Sequence, residues 1–119
     1  MAVESLPSSS EFDAVFKNPD AKFGRQDFLV LVRLNPETAN LSRIGFVTSK
    51  KKIKRAVDRN RFRRVFKEIL RSRAIHQSAD YVVIARNRPD TLHESSFAVE
   101  VIKCFEKLDQ LLTKNHAQS

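Results

Sequence analysis

At 119 residues, with 41% hydrophobic residues and a formal charge of +8, the chain has the size of one domain with a modest core. Its single cysteine, Cys104, makes neither an intramolecular disulfide nor, by itself, a zinc site, which excludes a disulfide-stapled secreted scaffold. No apolar run reaches the roughly 18 residues of a membrane span and the N-terminus lacks a signal-peptide layout, so a cytoplasmic protein is expected.

Residues 1–7 carry no periodicity and are expected to be loose, as are 115–119. Ser8, Ser9 and Ser10 offer N-caps for a short helix that ends near Asn18 and Pro19, with Phe12, Val15 and Phe16 on one face. A strand is predicted from about Phe23 to Leu34, centred on Phe28 to Val32 and closed by Asn35, Pro36 and Glu37. The next strand spans Ser42 to Thr48, with Ile44, Phe46 and Thr48 on one face and Arg43, Gly45 and Val47 on the other. Lys50 to Arg55 leads into a helix over Ala56 to Arg73. A third strand covers Tyr81 to Ala85, and Asn87 to Asp90 is a loop. The last helix runs from Glu94 to Lys114, with Phe97, Val101, Phe105, Leu108 and Leu112 at helical spacing. The order is α-β-β-α-β-α in a single domain over 1–119.

Charge is concentrated in this chain. From Arg43 to Arg73 there are thirteen Lys or Arg against two acids, Asp58 and Glu68, a local +11; the other 88 residues hold nine bases and twelve acids. Such an excess repels itself unless a polyanion relieves it, and each base placed on a phosphate releases condensed counterions, so the partner implied is a nucleic acid. In the middle helix Phe62, Val65, Phe66 and Ile69 make an apolar stripe for the sheet. Asn60, Arg64, Lys67 and Arg71 fall on the opposite side, flanked by Arg63. Arginine donates two hydrogen bonds to one phosphate from a planar fork and stacks on bases. An interfacial membrane helix would leave its apolar stripe free for lipid, whereas this stripe is needed by the domain.

Little else points to chemistry. Phe12 and Phe16, at i and i+4, suit either a core or exposed platforms for unpaired bases. His76, His93 and His116 have no partner at ligand or triad spacing and read as surface histidines. Cys104 lies beside Val101 and Phe105, which favours a buried thiol over a nucleophile. The carboxylates are scattered, with no pair placed for metal-assisted hydrolysis.

The run RIGFVTSKKKIKRAVDRNRFRRVFKE, Arg43 to Glu68, resembles the signature of the bacterial ribonuclease P protein subunit. In that family a strand ending in Ser/Ala-Lys-Lys leads through a basic connection to Ala, then to Arg-Asn-Arg and paired basic residues. Here these are Ser49, Lys50 and Lys51, then Ala56, then Arg59, Asn60 and Arg61, then Arg63 and Arg64. The early Phe12, Val15 and Phe16 and the run DYVVIAR, Asp80 to Arg86, extend the likeness over about Leu6 to Leu112; the first strand is aliphatic where some members carry a tyrosine.

The resemblance implies an α+β fold, an α/β sandwich similar to ribosomal-protein domains, with a central sheet and a left-handed β-α-β crossover. It implies a protein subunit that catalyses nothing itself, in a one-to-one complex with a catalytic RNA that uses Mg2+, removing the 5′ leader of precursor tRNA. No cofactor of the protein's own, no membrane and no DNA is implied. By the same resemblance Lys50, Lys51, Lys52, Lys54, Arg55, Arg59, Asn60, Arg61, Arg63, Arg64, Lys67 and Arg71 face RNA, and Phe12 and Phe16 line a cleft for the leader. The alternatives are a ribosomal or ribosome-assembly protein, which shares the charge but does not require the Arg-Asn-Arg helix; a DNA-binding regulator, which needs a helix where Ser42 to Thr48 form a strand; and a self-sufficient nuclease, which would cleave without RNA present.

Overall fold

The computed structural model describes residues 2–37, 41–73 and 78–117. Among them are five strands and three helices in the order β1 (Ala2–Ser5), α1 (Ser9–Lys17), β2 (Ala21–Gly24), β3 (Phe28–Leu34), β4 (Leu41–Val47), α2 (Ala56–Ser72), β5 (Ala79–Ala85) and α3 (Ser95–Ala117). The strands form one sheet in the order β1-β4-β5-β3-β2. β4 and β5 are parallel neighbours joined through α2, β1 is parallel to β4, and β3 is antiparallel to both β5 and β2.

Three elements differ from the expectation. Residues 2–5 are not loose: Ala2 to Ser5 pair with Leu41 to Ile44, and the Leu6 amide donates to the Ile44 carbonyl at 3.1 Å. Val3 packs on one core and Leu6 is buried in the other, so both apolar residues of this segment have somewhere to go. The predicted Phe23–Leu34 strand is a hairpin. Arg25 to Asp27 turn the chain, with the Arg25 amide donating to Phe28 O at 2.7 Å, and Phe23 pairs with Val30. Arg86 and Asn87, just past the end of β5, hold that turn by donating to Arg25 O and Gln26 O. At the other end α3 continues to Ala117, past the expected stop at Lys114; of 115–119, only the helical backbone of 115–117 is described.

Strand alternation gives the sheet two faces. One carries Phe28, Val30, Val32, Ile44, Tyr81 and Val83 and is covered by α2 and α3; there Phe62, Phe66, Leu70, Phe97, Val101, Phe105 and Leu108 bury a continuous core. Its centre is aromatic, since Phe66 meets Phe28 edge-on at 5.2 Å and Phe62 at 5.1 Å between ring centroids. On α2 the fourth anchor is Leu70, fully buried, while Ile69 is only half-buried. The second face carries Leu29, Leu31, Val82 and Ile84 and is covered by the nine residues of α1 through Val15 and Phe12. So short a helix leaves part of this face open: Leu29 and Ile84 are half-buried and Val47 is exposed.

Candidate nucleic-acid interface

The basic connection is a tight, anchored turn. Amides of Lys52 and Ile53 donate to Ser49 O at 3.1 and 3.0 Å, and Ile53 is wholly buried. With that plug fixed, Lys50, Lys51, Lys52, Lys54 and Arg55 all point outward and are exposed. Arg59 reaches back along the turn, donating to Ile53 O and Lys54 O at 2.9 Å each, which ties the lysines to the first turns of α2.

Along α2 the cationic side chains divide into two groups. Arg59, Arg61 and Arg63 are half-buried and bonded within the protein: Arg61 Nε donates to Leu92 O at 3.2 Å, and Arg63 to Thr48 Oγ1 at 2.8 Å and Asn60 Oδ1 at 2.5 Å. A guanidinium has five donors, so each keeps others for an outside acceptor. Arg64 and Arg71 are exposed, and among the described residues neither has a hydrogen-bond or ion-pair partner. Lys67, half-buried, sets its Nζ 5.9 Å from the Phe46 ring centroid. The N-terminal half of α2 is thus braced and its outer face is free.

One acid is central to that brace. Asp58 is buried in the first turn of α2, where a negative charge suits the helix dipole. Its carboxylate accepts from His93 Nε2 at 2.7 Å and from Arg88 Nε at 2.9 Å, joining the start of α2 to the loop before α3. An ionised carboxylate only accepts, so His93 carries a proton on Nε2. His93 is therefore not the unattached surface histidine its sequence position suggested; its partner lies 35 residues away. His76 lies outside the described residues, as does the side chain of His116. The sequence clue to Asp58 is its phase: it precedes Phe62 by four residues and Val65 by seven, on the buried stripe. The hydrogen bond from His93, then that from Arg88, holds the Asp58 carboxyl below the usual carboxylate range. A depressed carboxyl contributes stability that is present above its unfolded pKa and lost as pH falls through the folded one. Stability is therefore expected to fall in the acid range below the ordinary carboxylate pKa of about 4. An Asp58→Asn protein followed by thermal melts against pH should lose less across that window than the parent chain.

The other end of the candidate interface is α1 over the sheet. Arg43 on β4 makes a two-pronged bond to buried Asp80 on β5, at 2.8 and 2.7 Å, and also donates to Glu11 on α1 at 2.9 Å. The hydrogen bond to Asp80 drives the guanidinium pKa further up, so this cation is permanent. Phe12 is half-buried on the sheet, whereas Phe16, one turn on, is 42% exposed beside the open face. Cys104 is buried in α3, where burial pushes its thiol up to about 12, so no thiolate nucleophile forms there.

A family model for ribonuclease P matches residues 2–109. The chain belongs to the ribonuclease P protein family. Among its relatives, the ribonuclease P protein component of Chromohalobacter salexigens is 31% identical over 117 residues, covering 98% of this chain and 90% of the relative. That of Dehalococcoides mccartyi is 41% identical over 87 residues, covering 73% and 69%. Among solved structures, the RNase P protein from Thermotoga maritima superposes with a TM-score of 0.62 at 27% identity, over 92% of this chain and 96% of that one. The Staphylococcus aureus RNase P protein matches in fold, with a TM-score of 0.67 at 21% identity over 93% and 95%. The mixed α+β sheet with its helices is thus the architecture of this family, and the Arg59, Asn60, Arg61 signature sits on α2 where the helix is braced. No helix among the described residues is long and apolar enough to cross a membrane.

Proposed function

We propose that this ribonuclease P protein binds the enzyme's RNA subunit through the lysine turn and the outer face of α2, and holds the 5′ leader of precursor tRNA in the open sheet face beside α1. The observation that carries this reading is the joining of two surfaces by one strand. β4 ends with Val47 exposed on the open face, and the chain then runs directly into Lys50, Lys51 and Lys52. A phosphate-binding turn adjoining an apolar floor with an exposed Phe16 suits an unpaired strand, whose backbone wants cations and whose bases want stacking. Lys50, Lys51, Lys52, Lys54, Arg55, Arg64, Lys67 and Arg71 take phosphates, with Arg59, Asn60, Arg61 and Arg63 shaping the surface and contributing their remaining donors. The buried carboxylates Asp58 and Asp80 are each held by a guanidinium. In this proposal the Mg2+ and the hydrolytic step belong to the RNA subunit. The complex is one protein per RNA, in the cytoplasm.

The test is reconstitution. Purified protein, a bacterial ribonuclease P RNA and a precursor tRNA, at magnesium too low for the RNA alone, should give leader removal only when both subunits are present; cleavage by the protein alone would overturn the assignment. A Phe16→Ala protein that remains folded should lose about 1–2 kcal/mol of precursor affinity, the lower part of the range for one stacked base, and little affinity for mature tRNA. Equal losses for the two RNAs would assign Phe16 to packing instead.

A further inference from the structure

We infer that Gly45, with the Glu11, Arg43 and Asp80 network, fixes the seat of α1 on β4 and thereby sets the depth of the leader cleft, which makes these four residues positioning residues for the choice of precursor over mature tRNA. The inference rests on the leader-cleft reading above and adds to it what holds the cleft in shape.

Two observations meet on one face of one strand. Arg43 and Gly45 are two apart on β4 and so face the same way, toward α1. At Gly45 the Phe12 ring occupies the space a side chain would need: a Cβ built there would lie 2.2 Å from Phe12 Cζ and under 3 Å from both neighbouring ring carbons. Glycine is required here for close approach, because any other residue forces the ring to swing out or the helix to lift. One strand step away, Arg43 spans Asp80 of β5 and Glu11, the residue beside Phe12 on α1. Asp80 is itself buried and accepts from Asn35 Nδ2 at 3.0 Å, so the guanidinium is fixed before it reaches the helix. α1 is therefore located by a steric seat and a charged tether two residues apart on one face of one strand. Phe16 lies one turn beyond both and takes its place from them.

The two phenylalanines consequently do different work: Phe12 is the peg and Phe16 the contact. A helix displaced at the peg carries Phe16 with it, and stacking tolerates little misplacement, so the loss falls on the RNA that has a leader to stack.

The experiment measures precursor and mature tRNA affinities in the reconstituted holoenzyme and reads their ratio. Gly45→Ala is expected to lower the preference for precursor about tenfold, the scale of one lost stacked base. Glu11→Ala, which removes only the helix end of the tether, should lower it about threefold, the scale of a partly exposed ion pair. In a Phe12→Ala background the added methyl has nothing to strike, and Gly45→Ala should lower the ratio no further. A folded Gly45→Ala protein with an unchanged ratio, or with both affinities falling equally, overturns the inference. If Gly45→Ala does not fold, Glu11→Ala decides: an unchanged ratio overturns it. Phe16→Ala separates the two levels of the argument. If it leaves the ratio intact, the leader-cleft reading falls and this inference with it; if it lowers the ratio while Gly45→Ala does not, only the positioning role falls.

Discussion

A Phe66→Ala protein is expected to lose about 3–5 kcal/mol of unfolding free energy, the range for emptying a large aromatic site in a core. Phe66 is wholly buried, and its ring meets Phe28, Phe46, Phe62, Phe97 and Phe105 with centroids 5.1 to 6.2 Å away. These partners come from β3, β4, α2 and α3, so no one element can move to refill the space. Against a typical total of about 5–15 kcal/mol, the loss is a large share of the protein's stability. Urea unfolding should show a lower midpoint, and a melting temperature lower by about 12 °C or more is expected for a domain of this size. A change under about 1 kcal/mol would mean that the aromatic cluster repacks, as loosely specified cores do. On the same helix Leu70→Ala should cost more than Ile69→Ala, because Leu70 is the residue turned fully inward.

That last contrast shows what the sequence pattern resolves. Period-3.6 spacing on α2 separates a buried stripe from a cationic face, since every turn of the helix repeats the signal. At the end of the stripe the pattern is ambiguous between Ile69 and Leu70, both aliphatic, and only the position of α3 decides. The hairpin was hidden for a related reason. Arg25, Gln26 and Asp27 turn the chain without Gly or Pro between them, and the preceding Gly24 lies in β2, so the usual punctuation of a turn is missing from its own residues. β1 shows no alternation to read in four residues, and its pairing depends on β4, some 39 residues away in the chain.

The candidate interface was legible as chemistry and not as geometry. Charge and the signature identified Lys50 to Arg71 as the cationic surface, but nothing local says that Arg61 will donate to Leu92 O, or Arg63 to Thr48, because those partners arrive through the fold. Asp58 is the clearest case. In the sequence it is one acid diluting thirteen bases; in the structure it is the buried acceptor that binds the start of α2 to His93 and Arg88. Phe12 and Phe16 likewise look equivalent at i and i+4. They part company only because β4 presents Gly45, with no side chain, beneath one of them.

If phosphates are bound by the free face of α2, an Arg64→Ala, Lys67→Ala, Arg71→Ala protein should bind ribonuclease P RNA with a salt dependence shallower by about 2 to 3 units of log–log slope. Each lost phosphate contact accounts for about 0.7 to 0.9. Carried from molar salt to about 0.15 M, that slope corresponds to roughly a hundredfold weaker binding. Net charge alone makes a competing account, because any protein with three fewer positive charges is less attracted to RNA. Lys103, Lys107 and Lys114 on α3 supply the comparison: all three are exposed, and their triple alanine protein carries the same change in charge. Local contact predicts a near-parental slope for the α3 variant and a flattened one for the α2 variant, whereas a general field effect shifts both alike. The first outcome is the expected one. Beyond a Debye length of about 8 Å at physiological salt, charges count for little, so only side chains close to the phosphates set the slope. On α2 the braced N-terminal half, with Asp58 beneath it, fixes the helix that presents these cations, so the backbone carrying them needs no ordering on binding.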